Sequence, residues 1–194
     1  MSVELVAIGA SWGGLQAVGL VLQALPPEFA AAVVVAQHRS AEAELGTLEH
    51  LLGARCALEV AEAEDKQEIA AGSVLIAPPD YHMLVEGGSV ALSVDEQVHY
   101  SRPSIDVLLS SAADSFGARA AGVILTGANE DGAAGLARIA ARGGAAIVQD
   151  PDEAARPEMP RAALAATPGA RVLALERIGP LLAELAGTRE EARP

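Results

Sequence analysis

The chain reads LVAIGASWGG at residues 5–14, and this stretch decides the fold. Its first four residues are all apolar, which is typical of a short strand buried on both faces of a sheet. Its glycines allow a tight turn after that strand. Apolar residues then recur near a period of 3.6 over 15–25, which predicts a helix that the prolines at 26–27 end. A strand, a glycine-rich turn and a helix in this order are typical of a parallel α/β sheet.

The rest of the chain repeats this alternation. Further strands are predicted at 32–36, 73–77, 122–125, 145–148 and 171–175. Helices are predicted over 42–53, from Pro103 to near Gly117, from the loop at 126–132 to Gly143, and around 181–185. Apolar segments at 83–85 and 90–94 flank Gly87-Gly88, which is a hairpin signal, so we expect region 57–100 to form an antiparallel patch.

The expected fold class is therefore α/β. We expect a doubly wound, mostly parallel sheet with helices on both faces and an inserted antiparallel hairpin. Residues 1–186 would form one catalytic or binding domain, and the charged residues 187–194 would form a flexible tail.

Composition excludes several classes of protein. The chain is 51% apolar, which excludes intrinsic disorder. It has 13 basic against 26 acidic residues, and the resulting net charge of −13 argues against nucleic acid and against an anionic membrane surface as partners. The single cysteine, Cys56, excludes an internal disulfide bond and a cysteine-based zinc site. Because no signal-peptide pattern and no apolar run of about 18 residues is present, we expect a cytoplasmic protein.

Three of the predicted strands end in side chains that can do chemistry. Ser11 follows the first strand, His38 the second, and Asp131 the strand at 122–125. Ligands of open α/β sheets bind beyond the carboxyl ends of the strands, where these residues would meet. A serine oxygen becomes a strong nucleophile when a histidine takes its proton, and a carboxylate then orients the histidine. The three residues together indicate a hydrolytic triad.

Each residue also has a structural interpretation. Ser11 lies in a Gly-x-Ser-x-Gly turn, where it can simply cap the following helix. His38 can be a hydrogen-bonded structural histidine. Asp131 precedes a glycine and can be the N-cap of the helix after it. The chain order of serine, histidine and acid also differs from the serine, acid, histidine order of α/β-hydrolases.

These segments resemble those of a known family. GASWGG at 9–14, Gln37-His38 and LTGANEDGA at 125–133 resemble the three active-site segments of the CheB protein-glutamate methylesterase catalytic domain. The resemblance extends to IAPPDYH at 76–82, SRPSIDVL at 101–108 and Val148-Gln149-Asp150 with Met159-Pro160, and so covers roughly residues 3–185.

The resemblance implies a doubly wound α/β fold and specific roles. Ser11 would be the nucleophile, His38 the general base and Asp131 its orienting carboxylate. The substrate would be a methyl-esterified glutamate on a cytoplasmic chemoreceptor helix, with methanol as the leaving group. Receptor glutamines would be deamidated by the same acyl chemistry. Neither a metal nor a cofactor is implied.

The sequence departs from the family at three points. Trp12 stands where the family often has threonine, and Ala128-Asn129 replaces Met-Gly. Backbone N–H groups at Trp12 and Ala128, with Gly13 and Asn129 beside them, would form the oxyanion hole. The family usually carries a phosphorylatable receiver domain, for which the printed sequence holds no segment. We therefore expect either a stand-alone member or a piece of a longer chain, with regulation by a separate protein.

Two other functions stay open at this point. The three departures are compatible with a catalytically silent adaptor of the same fold that binds receptors. A dinucleotide-binding domain is the other alternative, because Gly9, Ser11 and Gly14 open a helix after the first strand, and Arg39 lies where an NADP phosphate would sit. Against it, no acidic residue ends the second strand to bind a ribose.

Further residues have structural or open interpretations. His82 would border the cleft or make a structural hydrogen bond, and Arg102 would contact an acidic receptor helix or cover apolar surface. Cys56 would fill core space, and the acidic residues of 59–68 would form a solvated edge. His50 is expected at the surface, and His99 has no assigned role.

Overall fold

The fold is built on one seven-stranded parallel sheet in a computed structural model that describes residues 2–187. The strand order is β3-β4-β2-β1-β7-β8-β9. The nine strands, two of which form a separate hairpin, are β1 Leu5–Ala10, β2 Ala32–Gln37, β3 Glu59–Glu62, β4 Ser73–Ile76, β5 His82–Glu86, β6 Ser89–Ser93, β7 Ala120–Ile124, β8 Ala145–Gln149 and β9 Arg171–Leu173. The six α-helices are α1 Gly14–Gln23, α2 Thr47–Gly53, α3 Ile105–Phe116, α4 Ala133–Ala141, α5 Glu158–Ala166 and α6 Leu175–Ala186.

Strand β1 is central and buried along its whole length. It pairs in parallel with β2 on one side and β7 on the other. Because side chains alternate along a strand, Val6 and Ile8 face one core and Leu5 and Ala7 face the other. The first core lies under α1, α2 and α6, and the second lies under α3, α4 and α5. Helices on both faces confirm the predicted doubly wound fold.

Strand β1 is the switch point of the sheet, because strands from the first half of the chain lie on one side of it and strands from the second half lie on the other. The early strands β2, β4 and β3 extend to one side, and β7, β8 and β9 extend to the other. The helices that follow β1 and β7, α1 and α4, therefore pack on opposite faces of the sheet, and the crevice of such a sheet lies beyond the carboxyl ends of these strands. The predicted reactive residues lie at this edge.

The inserted hairpin is confirmed. Strands β5 and β6 pair antiparallel around Gly87-Gly88 as a separate two-stranded sheet that packs on α3. Both glycines have positive φ, 56° and 96°, which suits the tight turns that match the twist of a hairpin.

The antiparallel prediction for 57–100 is wrong in its first half. Strands β3 and β4 pair in parallel and extend the main sheet. Strand β3 lies at the edge of this sheet and none of its residues is fully buried, so its sequence lacks the apolar run of the central strands.

Two helix boundaries differ from the prediction, and one helix was missed. The helix predicted over 42–53 begins only at Thr47, after Gly46 with φ 79°. Pro103 does not open α3, because Ser104 is the N-cap and accepts a hydrogen bond from the Val107 N–H. Helix α5 was not predicted, because its alanine-rich sequence carries few large apolar residues to mark a period.

Only Gly187 of the predicted flexible tail, 187–194, lies within the described residues, where it ends α6. The rest of that tail lies outside them. Among residues 2–187, every helix is too short or too polar to cross a lipid bilayer.

Candidate active site

The three predicted residues follow three adjacent strands. Ser11 comes directly after β1, and His38 comes directly after β2. Asp131 lies in the loop between β7 and α4. Because β2, β1 and β7 are neighbours and parallel, their loops emerge at the same edge. The backbone joins these loops, since the His38 N–H donates to the Ala10 carbonyl and the Ser11 N–H donates to the Thr126 carbonyl.

His38 and Asp131 are in direct contact. The distance from His38 Nε2 to Asp131 Oδ2 is 2.7 Å. Asp131 is fully buried, whereas the His38 side chain retains a small exposed area. The carboxylate accepts the ring N–H, which fixes the proton on Nε2 and leaves Nδ1 as the basic nitrogen.

Asp131 also caps a helix, but not the predicted one. Its carboxylate accepts hydrogen bonds from the Ile105 and Asp106 N–H groups at 2.7 and 2.9 Å, and from the Ser104 hydroxyl at 2.9 Å. These groups form the N-terminus of α3, while the N-cap of α4 is Gly132. A buried carboxylate at a helix N-terminus is stabilised by the N–H donors and by the helix dipole.

The donors around Asp131 control its protonation. Burial by itself raises the pKa of a carboxyl group, but the hydrogen bonds from His38 and from the Asp106 and Ile105 amides outweigh it. The pKa of Asp131 therefore lies below its usual range. The group is an anion at neutral pH, as a partner for an imidazolium must be.

This depressed pKa predicts an acid-dependent stability. The folded protein holds the Asp131 proton less tightly than the unfolded chain, so the contribution is complete above the unfolded pKa of about 3.9 and is lost as the pH falls through the folded pKa. We expect the stability difference between wild type and Asp131→Asn to be largest near neutral pH and to shrink below about pH 4. Urea unfolding across that range measures it, and a difference that grows in acid would contradict the assignment.

Ser11 lies at the opening of the crevice. Its side chain is half-buried, and among residues 2–187 no hydrogen bond joins its hydroxyl to His38. Such contacts often tighten only when the substrate binds. Within the same described range, the backbone N–H groups of Trp12 and Ala128 donate to no acceptor of the protein. The N–H groups of Gly13 and Asn129 are unengaged in the same way, so both loops offer free backbone donors next to the serine.

Gln37 is a site residue to which the sequence analysis gave no role, although it belongs to the Gln37-His38 segment. It is only 7% exposed, and its Nε2 donates to the Ser11 carbonyl at 2.8 Å and to the His38 carbonyl at 3.0 Å. One side chain thus joins the loop that carries the serine to the loop that carries the histidine. The only available signal was its position next to His38 at the end of a buried strand.

Gly127 allows the loop after β7 to approach Ser11. A Cβ at this position would lie 2.5 Å from Met159 Cε and 3.0 Å from Ser11 Cβ. The methionine end can move, but the serine Cβ is fixed by its backbone. Glycine is therefore the residue that fits between them.

The Gly127 contact gives a second prediction. Gly127→Ala should displace Ser11 by a few tenths of an ångström and lower hydrolysis of an ester by less than about 100-fold, which is the cost of a full shift of about 1 Å at a reacting group. Gly169→Ala is the matched control, because a Cβ there meets no atom within 4 Å. Turnover by both proteins is measured with p-nitrophenyl acetate, and equal turnover would show that the Gly127 approach does not position the serine.

A fourth loop also contributes to the site. It follows β8, where the Arg156 N–H donates to Thr126 Oγ1 at 2.9 Å and the Gly127 N–H donates to the Arg156 carbonyl at 3.1 Å. The guanidinium of Arg156 lies over the ring of Trp12, 5.6 Å from its centroid. The sequence analysis missed Arg156, because only the sheet order brings the end of β8 next to this crevice.

Other predicted residues have structural contacts. His82 is buried, donates from Nε2 to the Glu96 carbonyl and accepts the Ser104 N–H at Nδ1. Arg102 binds Asp80 through two nitrogens and the carbonyls of 94 and 95 through a third, which ties the arginine to its own loop.

Cys56 and His50 lie away from the His38–Asp131 pair. Cys56 is partly buried against the first core, and burial raises the pKa of its thiol, so it is no activated nucleophile. His50 is exposed on α2, as expected.

Arg39 is not available to bind an NADP phosphate, as a dinucleotide-binding domain would require. Arg39 Nη1 is 2.6 Å from Glu62 Oε1, and its Nη2 donates to the Ala77 carbonyl. Both charged side chains are largely buried, so Arg39 already has the carboxylate that a phosphate would have to displace.

A cluster of possible metal ligands lies behind Asp131. Donor atoms of His99, Asp106 and Asp131 lie within 4.8 Å of one another. The two oxygens of Asp131, however, already accept two hydrogen bonds each. His99 Nε2 is 3.3 Å from Asp106 Oδ2, and burial raises the pKa of Asp106. Because N–H and O–H donors already occupy the oxygens of Asp131, these contacts argue against a metal site there.

Two hollows open on either side of the crevice. Ser11, Gln37 and residues of α1 and α2 line a groove of about 750 Å³. His38 lines a smaller hollow of about 230 Å³ with Tyr100 and Arg102. The fold and this edge define a doubly wound α/β protein with a serine, a histidine and an aspartate around one crevice.

Comparison with known proteins narrows this class. The model of the CheB methylesterase family matches residues 6–182. The chain is 43% identical, over the full length of both proteins, to a Leptospira interrogans relative with the provisional name protein-glutamate methylesterase/protein-glutamine glutaminase. It is 45% identical to the protein-glutamate methylesterase FrzG of Myxococcus xanthus, over 92% of this chain and 53% of FrzG.

A solved structure agrees with these relatives. The catalytic domain of the Thermotoga maritima CheB methylesterase superposes with a TM-score of 0.87 and 32% identity, over 95% of this chain and all of that domain. The chain belongs to the CheB methylesterase family.

Proposed function

We propose that the protein is a protein-glutamate methylesterase that uses Ser11 as its nucleophile. The names of its relatives support the substrate class. The observation that carries the proposal is the 2.7 Å contact between His38 and the buried Asp131, at the crevice where Ser11 lies. A structural serine in a glycine-rich turn would have no use for this pair.

The contact between His38 and Asp131 supports a role for each residue. His38 Nδ1 takes the hydroxyl proton as Ser11 Oγ attacks the ester carbonyl carbon, and Asp131 stabilises the imidazolium through Nε2–H. The tetrahedral intermediate collapses, its C–O bond to the methoxy group breaks, and the imidazolium proton leaves with the methoxide as methanol. Water then attacks the acyl carbonyl carbon while His38 takes a water proton. The C–O bond to Ser11 Oγ breaks, His38 returns the proton to that oxygen, and the glutamate carboxylate is released.

The oxyanion formed in both steps needs donors. The unengaged N–H groups of Trp12 and Ala128 flank Ser11 on separate loops and are our candidates, with Gly13 and Asn129 shaping the turns around them. A backbone N–H donates whatever the side chain of its residue, so Trp12 and Ala128 can stabilise the oxyanion although their side chains differ from those of the family.

The same acyl chemistry supports a second activity, the deamidation of glutamine, and both activities require a receptor polypeptide as the substrate. A glutamine side chain would lose ammonia instead of methanol, as the paired names of the relatives suggest. The partners would be methylated chemoreceptor cytoplasmic helices. The protein would then act in the cytoplasm, with a separate regulatory protein controlling it.

Labelling with a serine-reactive fluorophosphonate tests the activated nucleophile. We expect rapid labelling of Ser11, which Ser11→Ala abolishes and His38→Ala slows strongly, because the unassisted hydroxyl is a weak nucleophile. The catalytically silent adaptor makes the opposite prediction. Labelling that is equally slow in wild type and His38→Ala would therefore overturn the proposed function.

A further inference from the structure

Four arginines of the described part of the chain lack a carboxylate partner. Among residues 2–187, the other basic side chains lie within 4.0 Å of an acidic group, most of them exposed. The four without such a partner are Arg55, Arg156, Arg171 and Arg177. Two of these four are connected to the Ser11 region, because Arg55 lines the same groove as Ser11 and Arg156 lies over the ring of Trp12.

Arg55 lies in the groove that Ser11 lines. The groove runs between α1 and the C-terminal end of α2, and its walls include the exposed side chains of Leu15 and Leu51 and the buried Leu52. It therefore offers apolar surface next to the serine and a single unpaired cation, Arg55, at the end of α2.

Arg156 supplies a second unpaired cation on the other side. Its guanidinium stacks on Trp12, which is 67% exposed and directly follows Ser11 in the chain. Hydrogen bonds from the Arg156 backbone to the loop after β7 fix the base of this side chain. Stacking on Trp12 holds the Arg156 guanidinium in one place and leaves the N–H groups of the guanidinium free to bind a ligand.

We propose that Arg55 and Arg156 bind carboxylates that flank the reacting glutamate on the substrate polypeptide, while Leu15 and Leu51 contact its apolar residues. This inference rests on the proposed function, because it takes the Ser11 crevice as the place where the ester binds. The occupant is one acidic amphipathic segment. A protein of net charge −13 repels such a segment overall, so local cations are needed where it docks.

Helical geometry fits this arrangement. On an α-helix, residues three or four positions from the modified glutamate lie on the same face as that residue. An apolar groove with charges beside it is the usual way in which an amphipathic helix is bound. We expect carboxylates at these flanking positions to improve binding, and neutral amides there to lose the improvement.

Two peptides test this specificity. Each carries one glutamate γ-methyl ester, with glutamate at the flanking positions in the first peptide and glutamine in the second. Wild type should favour the acidic peptide in kcat/KM, mainly through a lower KM, and the preference should decline as ionic strength rises. Arg55→Gln/Arg156→Gln should reduce the ratio of acidic to neutral turnover by about tenfold, since two exposed pairs are lost.

Arg171→Gln is the matched control. Arg171 is also exposed and unpaired among the described residues, but it lies on the edge strand β9, three strands from β1. It should keep the wild-type ratio. An equal fall in the ratio for Arg171→Gln would assign the preference to net charge and overturn the proposal, as would an unchanged ratio in the double variant.

Binding separates this inference from the proposed function. Fluorescence anisotropy of both labelled peptides with the Ser11→Ala protein needs no turnover. An acidic preference that Arg55→Gln/Arg156→Gln removes supports the inference even if wild type hydrolyses neither peptide. Equal affinity for the two peptides, or no binding of either, overturns it even if an ester is hydrolysed.

Discussion

Ser11→Ala should lower the turnover of a glutamate methyl ester by about 10⁶-fold, the loss found when a serine hydrolase loses its nucleophile. The variant keeps the crevice and the backbone donors at Trp12 and Ala128, but no atom is left to form the acyl intermediate. Folding should change by less than about 0.5 kcal/mol, because the half-buried hydroxyl makes no hydrogen bond to another side chain of the described residues. Turnover and thermal unfolding measure the two effects separately.

Ser73→Ala is the control for this loss. Ser73 begins β4, and its hydroxyl donates to the Ala70 carbonyl away from the crevice. Its removal should leave turnover unchanged. Substantial turnover by Ser11→Ala would remove Ser11 from the mechanism and leave it as a turn residue.

Asp131→Asn should lower turnover by about 10⁴-fold, because the amide leaves His38 without an anionic partner and allows the wrong tautomer. We also expect Asp131→Asn to lower the free energy of unfolding. Four donors converge on the carboxylate, and an asparagine NH₂ group must face at least one of them. An unsatisfied buried donor costs about 1–3 kcal/mol, so the variant should fold with a lower midpoint of thermal unfolding.

Asp106→Asn separates the two effects. Asp106 is also a buried acid at the start of α3 and accepts the Gly135 N–H, but among the described residues it makes no contact with His38. It should lose stability with a much smaller loss of turnover. If Asp131→Asn lost less than tenfold in turnover while folded, Asp131 would be only a helix cap.

The sequence was sufficient to place Ser11, His38 and Asp131 at one edge. Short apolar runs identify buried strands, parallel strands share a carboxyl edge, and each residue follows such a run. Their neighbours could not be placed in this way. Asp131 caps α3, which lies 26 residues earlier in the chain, and no local pattern encodes a cap from so distant a loop.

The contacts that join the loops of the site could not be predicted from the sequence either. Gln37 joins the Ser11 and His38 loops, and the pairing of Arg156 with Trp12 depends on the sheet order around β7 and β8. Strand β3 was taken for a solvated acidic edge, because it is only partly buried and its two glutamates leave no apolar run to mark it. These features depend on tertiary contacts rather than on local spacing.

The most direct test is methanol release from a methyl-esterified chemoreceptor cytoplasmic domain, with wild type and Ser11→Ala compared at equal concentration. We predict release by wild type and none above background by Ser11→Ala. Methanol release that is equal in the two proteins, or absent from folded wild type that also fails to label at Ser11, would contradict a serine methylesterase.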